Sequence, residues 1–284
     1  MKTLAIVISY NFMPWIDRCL PSLLASVEHT DILVIDNGSS DETIAVIRER
    51  YPQVQLIANG HNLGFGAANN IGLQVALDKG YSGVLLINQD AWIESNTLRQ
   101  LVEVSLRYSQ YGIITPKHLT GDGSKLDPGF ASYVNHYHAD GIVNVPFINA
   151  AIWYIPIVII KKVGMFAPLF YHYGEDKDYV NRIHYFGYQI GYVTTAIGYH
   201  DRAERPFNQS LFLRTEYVYH LSEYSNINYT FSKAFAMGVL APVKKAGQSF
   251  IKAQWRNCID YLTMSIKLLM HTYEVYNTRK QAKK

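Results

Sequence analysis

The chain has 284 residues, of which 49% are hydrophobic, enough for one large globular domain with an appendage. Its two cysteines, Cys19 and Cys258, occupy apolar positions of helix-like stretches, which excludes a disulfide framework and a zinc cluster and fits a reducing compartment. The net charge of +3 hides an asymmetry: from Tyr229 onward ten Lys/Arg stand against two acids, while the remainder carries 16 basic and 21 acidic residues, which argues against nucleic acid along the main body.

Residues 4–8 read as a first strand, core-like and too short for the apolar region of a signal peptide. Ser9-Tyr10-Asn11 follows, then Pro14 opening a helix whose face is Ile16, Leu20, Leu23, Leu24 and Val27. A second apolar run ends in Asp36, and the polar stretch 36–41 turns into a helix through Val46 and Ile47. Residues 54–58 predict a third strand. A glycine-rich loop, 62–70, opens a helix with Ile71 and Val75, and a fourth strand, 84–87, leads through Asn88 and Gln89 to Asp90. This alternation predicts an α/β fold with a doubly wound, mostly parallel sheet flanked by helices.

Further along, residues 118–146 show no clear period and read as loops and short antiparallel strands. A strand at 147–151, a short helix at 158–164 and a strand at 191–194 follow, and the pattern is helical from Leu211 to the end. The longest nearly apolar stretch, 147–160, contains Asn149 and Pro156 and is too short to span a bilayer.

Two strands ending in an acid place Asp36 and Asp90 at the edge where open α/β sheets bind ligands; either can instead cap the turn that follows. Gly64, Gly66 and Gly72 follow the third strand and not the first, so the nicotinamide fingerprint is absent. The glycine loop fits either a plain helix start or a backbone cradle for a diphosphate or sugar. The densest acidic cluster, Gly174-Glu175-Asp176-Lys177-Asp178, follows Phe170-Tyr171-His172-Tyr173. Its acids suit a first helical turn, and the adjacent pair Glu175 and Asp176 also suits holding and deprotonating a hydroxyl. His200 follows a strand, where it is structural, solvated or a ligand.

Taken together, Ser9-Tyr10-Asn11, the Asp36-to-Asp41 turn, the 62–70 loop, Asn88-Gln89-Asp90, the Glu175-Asp176 pair and a downstream His resemble family 2 glycosyltransferases of the GT-A fold, over roughly residues 3–225. The glycine loop is similar to that of bacterial rhamnosyl- and galactofuranosyltransferase-like members. The resemblance implies a nucleotide-sugar domain over 1–225 with a basic helical appendage over 226–284. It also implies inverting transfer of a sugar, dTDP-rhamnose-like favoured, to a glycan or lipid-linked acceptor in surface polysaccharide synthesis. On it, Ser9, Tyr10 and Asn11 line the nucleoside site, Asp36 contacts the base, and Gly64, Asn70 and Gln89 border the donor. Asp176, beside Glu175, is the catalytic base, while Asp90 and His200 hold Mg²⁺ or Mn²⁺. The chain departs from the pattern at Asn88, where many members have the first Asp of the metal motif. One carboxylate with substrate phosphates suffices for Mg²⁺; a non-catalytic nucleotide-sugar or glycan-binding module is the alternative.

In the tail, Ile251, Trp255, Cys258, Leu262, Ile266, Leu269 and Tyr273 recur at helical steps, predicting one continuous stripe beside Lys252, Arg256 and Lys267. The stripe packs on its own domain or a second copy, or lies on an anionic membrane surface. Homodimer and peripheral association at the inner membrane face of a cytoplasmic protein are both expectations.

Overall fold

The structure, a computed structural model, describes residues 2–134, 141–202 and 208–284. The chain forms two compact units, Met1–Phe166 with Phe186–Ala203, and Ala167–Tyr185 with Glu204–Lys284.

In the first unit, β1 (Thr3–Ser9), β2 (Thr30–Asp36), β3 (Gln55–Ala58) and β4 (Gly83–Asn88) lie parallel in the order β3-β2-β1-β4. Their connections are the helices α1 (Ile16–Leu24), α2 (Thr43–Arg50) and α3 (Phe65–Asp78). The run Leu4, Ala5, Ile6 and Val7 is buried throughout, as a strand covered on both faces requires. α1 buries Ile16, Cys19, Leu20 and Leu23 against the sheet, the face expected from its periodicity.

Beyond β4 come β5 (Ala91–Ile93), α4 (Thr97–Arg107), β6 (Tyr111–Thr120), α5 (Pro128–Ala131), β7 (Ile142–Asn144), β8 (Ile152–Pro156) and α6 (Ile157–Val163). After α7 (Glu175–Tyr185), a helix of the second unit, the chain returns as β9 (Gln189–His200). β8 pairs antiparallel with β4, and β9 runs parallel to β6 with β5 and β7 antiparallel to it. The sheet is thus parallel through its first four strands and mixed beyond them.

Three element boundaries differ from the sequence reading. Residues 147–151 are loop and turn, and the strand begins at Ile152. Register with β4 sets that start, because Ile87 pairs with Ile152; a short apolar run alone does not locate it. β6 continues through Thr120 into the stretch read as loops, and β9 extends from Gln189 to His200. Both are lengthened by pairing with each other, a long-range partnership that no local pattern reports.

The second unit is helical: α7 is joined by α8 (Gln209–Ser225), α9 (Phe231–Phe235), a π-turn at Ala236–Leu240, α10 (Ala241–Ile251), α11 (Trp255–Met270) and α12 (Thr272–Gln281). Phe170, Leu221, Tyr224, Ala234, Val239, Met264, Leu268 and Val275 form its core. Arg279 of α12 is buried and donates to the carbonyls of Asn226 and, at 2.8 Å, Tyr229. A guanidinium thereby satisfies acceptors at and just beyond the end of α8. The apolar stripe of the tail is not one continuous helix. Residues 252–254 break it, with Ala253 at φ 53°, and a second break falls at His271. Among the described residues no helix is long and apolar enough to cross a membrane.

Candidate active site

The parallel strands end in register, Ser9 beside Asp36 and Ile8 beside Asn88. Strand order reverses at β1, so the crevice beyond its carboxyl end is the ligand position that this topology favours. Asp36 is fully buried. One oxygen accepts from the backbone N–H groups of Gly38 (3.2 Å) and Ser39 (3.0 Å); the other accepts from the hydroxyls of Ser9 (3.0 Å) and Ser39. Both oxygens therefore serve to shape the turn. Asn11 lies in the left-handed region at φ 53°; its N–H donates to Ser39 Oγ (2.9 Å) and its Oδ1 accepts from Ser40 N–H (2.9 Å).

Gln89 pairs with the backbone of Tyr10 like a neighbouring strand: Oε1 accepts from its N–H at 2.7 Å and Nε2 donates to its carbonyl at 3.1 Å. Tyr10 stays 49% exposed, and its ring offers a flat face to a planar ligand. Gly64, at φ 83°, precedes α3 where a side chain would be strained. Its N–H donates to Asn62 Oδ1 at 2.8 Å, and Asn37 Nδ2 donates to that same oxygen at 3.0 Å. Asn37 and Asn62, not among the expected site residues, thus tie the glycine loop to the Asp36 turn. Asn70 clamps the backbone of Phe166, donating to its carbonyl and accepting from its N–H, each at 2.9 Å.

Asp90 and His200 are brought together by the β5–β9 pairing, in which Ala91 stands opposite His200. His200 Nε2 lies 3.5 Å from Asp90 Oδ1, and its Nδ1 lies 3.4 Å from Asp127 Oδ2. Asp127, fully buried, caps α5 by accepting from Phe130 N–H at 2.8 Å. Burial alone would disfavour the charge on His200, but the hydrogen bonds and charges of Asp127 and Asp90 outweigh it and raise its pKa to about 9. Burial pushes the Asp127 carboxyl up; His200 and the Phe130 N–H more than offset this and bring it down to about 2. Sequence reading missed Asp127, whose Asp-Pro step marks a helix start and says nothing of a histidine on another strand.

Among the described residues no three His, Cys, Asp or Glu side chains converge as a metal site. The donor set is accordingly two-membered: the Asp90 carboxylate, 26% exposed, and His200 Nε2. A ring nitrogen backed by a buried carboxylate is the arrangement of metal-bound histidines, so the residues fit a divalent ion completed by phosphate and water.

In the second unit, Tyr173 (φ 70°) and Gly174 (φ 90°) form a left-handed step into α7. A Cβ on Gly174 would lie 2.7 Å from Val218 Cγ1, so only glycine fits. Helical spacing then sorts the acids. Asp178 is buried and ion-paired to buried Arg182 at 2.9 Å, Glu175 is buried, and Asp176 is half-buried. Asp176 is the most accessible of the three.

Glu175 Oε2 is buried without a hydrogen-bond partner among the described residues. Desolvation, reinforced by the Asp176 charge, raises its pKa to about 7. A carboxyl with a raised folded pKa takes up protons on folding, so its contribution favours folding at low pH and is lost as pH rises from 4.5 through about 7. Glu175→Gln is expected to be more stable than the parent at about pH 8, by up to about 3 kcal/mol, and no more stable near pH 4. Thermal melts at the two pH values check this; equal shifts would mean that Glu175 is not desolvated.

The parallel-then-mixed sheet with a crevice at β1 is the GT-A fold. TarS 1–349 of S. aureus superposes with a TM-score of 0.60 at 14% identity, covering 95% of this chain and 92% of that one. The mannosyltransferase PcManGT from Pyrobaculum calidifontis, solved in complex with GDP-Man and Mn²⁺, gives 0.56 at 15% identity, covering 99% and 73%. These likenesses show the fold. Residues 4–128 match the model of the family described as Glycosyl transferase family 2. Over 128 residues the chain is 31% identical to N-acetylglucosaminyl-diphospho-decaprenol L-rhamnosyltransferase of Mycobacterium tuberculosis, a match spanning 42% of each protein. The match therefore covers less than half of that relative's length.

Proposed function

We propose that this chain is an inverting glycosyltransferase that moves a sugar, rhamnose favoured, from a nucleoside-diphosphate donor to a glycan or lipid-linked acceptor in surface polysaccharide synthesis. The observation that carries the reading is the Asp90–His200 pair, next to the Ser9–Asp36 edge of the parallel strands, an edge within the family-matched residues 4–128. The 31% identical relative is named for rhamnosyl transfer to a diphospho-decaprenol-linked sugar, which supports both the donor and the lipid-linked acceptor. A lipid-linked acceptor would place this reaction at a membrane surface.

In this reading Tyr10 stacks on the nucleobase, with Ser9, Asn11, Asp36 and Gln89 shaping the loop that holds it. Gly64 lets the donor approach the backbone N–H groups at the start of α3, whose dipole favours a diphosphate, while Asn70 fixes the helix behind it. Asp176 takes the proton of the acceptor hydroxyl as its oxygen bonds to the anomeric carbon and the bond to the diphosphate breaks; Glu175 orients it. Asp90 and His200 would hold Mg²⁺ or Mn²⁺, which supplies positive charge to the departing diphosphate. Without an ion, His200 itself, charged between two carboxylates, is a cation at the same edge.

The test is release of free nucleoside diphosphate from a panel of nucleotide sugars, with and without Mg²⁺ or Mn²⁺ and with acceptor added. Release that depends on the acceptor supports transfer. Donor binding without release from any sugar supports the alternative, a binding module, which Asn88 favours.

A further inference from the structure

α11 is apolar on two faces. One, with Met264, Ser265 and Leu268, is buried in the second unit. The other, with Trp255, Ile259, Leu262, Ile266, Leu269 and Met270, is exposed, Met270 by 79%. An amphipathic helix ordinarily turns its one apolar face to the core, so this second, outward apolar face lacks a cover. The preceding turn extends it: Phe250 and Ile251 are exposed, Ile251 by 84%, and the Phe250 and Trp255 rings meet edge to face at 5.1 Å. This is a contiguous apolar surface of the kind that marks a partner site.

Its charge selects the partner. Lys244, Lys252, Arg256 and Lys267 are exposed on α10, α11 and the turn between them. Asp260, the one acid in residues 241–270, is half-buried. A second copy would bring like charges together without acids to pair them, whereas an anionic lipid surface complements both the apolar face and its lysines. Trp255 adds an amphipathic ring suited to the headgroup level.

We infer that the α10–α11 hairpin docks on an anionic membrane surface, with Phe250, Ile251, Trp255, Ile259, Ile266 and Met270 entering the headgroup–acyl boundary. Exposure and charge define this surface; the choice of the acceptor-bearing membrane rests on the proposed transfer reaction.

The full chain should co-sediment with phosphatidylcholine vesicles containing phosphatidylglycerol, and bind pure phosphatidylcholine at least about tenfold more weakly. High salt should narrow that gap by screening the lysines. Ile259→Asp with Ile266→Asp should abolish sedimentation without lowering the melting temperature, because both side chains face outward. Lys252→Glu with Arg256→Glu should remove the lipid preference and leave the fold intact. Release of nucleoside diphosphate from soluble nucleotide sugars should survive in both double variants. That activity reports on the reaction separately from the surface: binding with no release in any variant counts against the reaction alone. Failure to bind either vesicle overturns the inference. So does a parental dimer in sedimentation velocity that the aspartate variants convert to monomer, which would make the face a self-interface.

Discussion

Asp176→Asn should lower transfer by at least the roughly 10²–10⁴-fold that one general base contributes, with donor affinity unchanged. The amide keeps the size of the carboxylate and retains an oxygen to accept from Lys177 N–H, a bond of 2.7 Å here, but it cannot take a proton from the acceptor. Neighbouring acids provide the control. Asp178→Asn should act on the fold: it removes the buried carboxylate that pairs with Arg182, which is 3% exposed, at a cost of roughly 3–5 kcal/mol for a broken buried pair. The two variants are thus separated by a melting curve beside a turnover assay. Activity of Asp176→Asn within a few-fold of the parent would move the base to Glu175.

That sorting of acids shows where sequence reading reaches its limit. The cluster 174–178 was visible as an acidic helix start, but which acid faces outward depends on the packing partner of α7. Helical spacing makes Asp178 and Arg182 a surface-type pair, and only the core of the second unit shows that both are buried. The first four strands and the acids at their ends were legible because each βα unit is local and buried strands announce themselves as apolar runs. Asn37, Asn62 and Asp127 were not, since their roles lie in contacts between segments far apart in the chain. Gln89 was placed at the donor edge by resemblance, yet its bonds to Tyr10 come from the adjacency of β1 and β4. The tail misled in another way. Its helical steps continue through residues 252–254, where Ala253 at φ 53° ends one helix before the next begins. Periodicity records which residues are apolar and does not record a break that preserves phase.

Asp90→Asn should be the other severe loss, about 10²–10³-fold in turnover, the usual scale for removing one group that stabilises developing charge. Donor binding should weaken with it where Asp90 would hold a divalent ion that supplies charge to the diphosphate. His200 decides between two ways of supplying that positive charge. As a metal ligand it needs a lone pair on Nε2, and Asp127 then acts as a positioning residue, its loss in Asp127→Asn weakening metal affinity by about 10–100-fold. As an imidazolium it is the cation itself, and Asp127 holds it charged. Calorimetric Mn²⁺ titration of the parent, Asp127→Asn and His200→Ala, with turnover measured in chelator, separates the two. Loss of turnover in chelator, with weakened Mn²⁺ binding in both variants, supports the metal site. Turnover that survives chelator, yet falls in His200→Ala, refutes it. The missing carboxylate at Asn88 would then belong to a site in which a buried, doubly paired histidine replaces the ion.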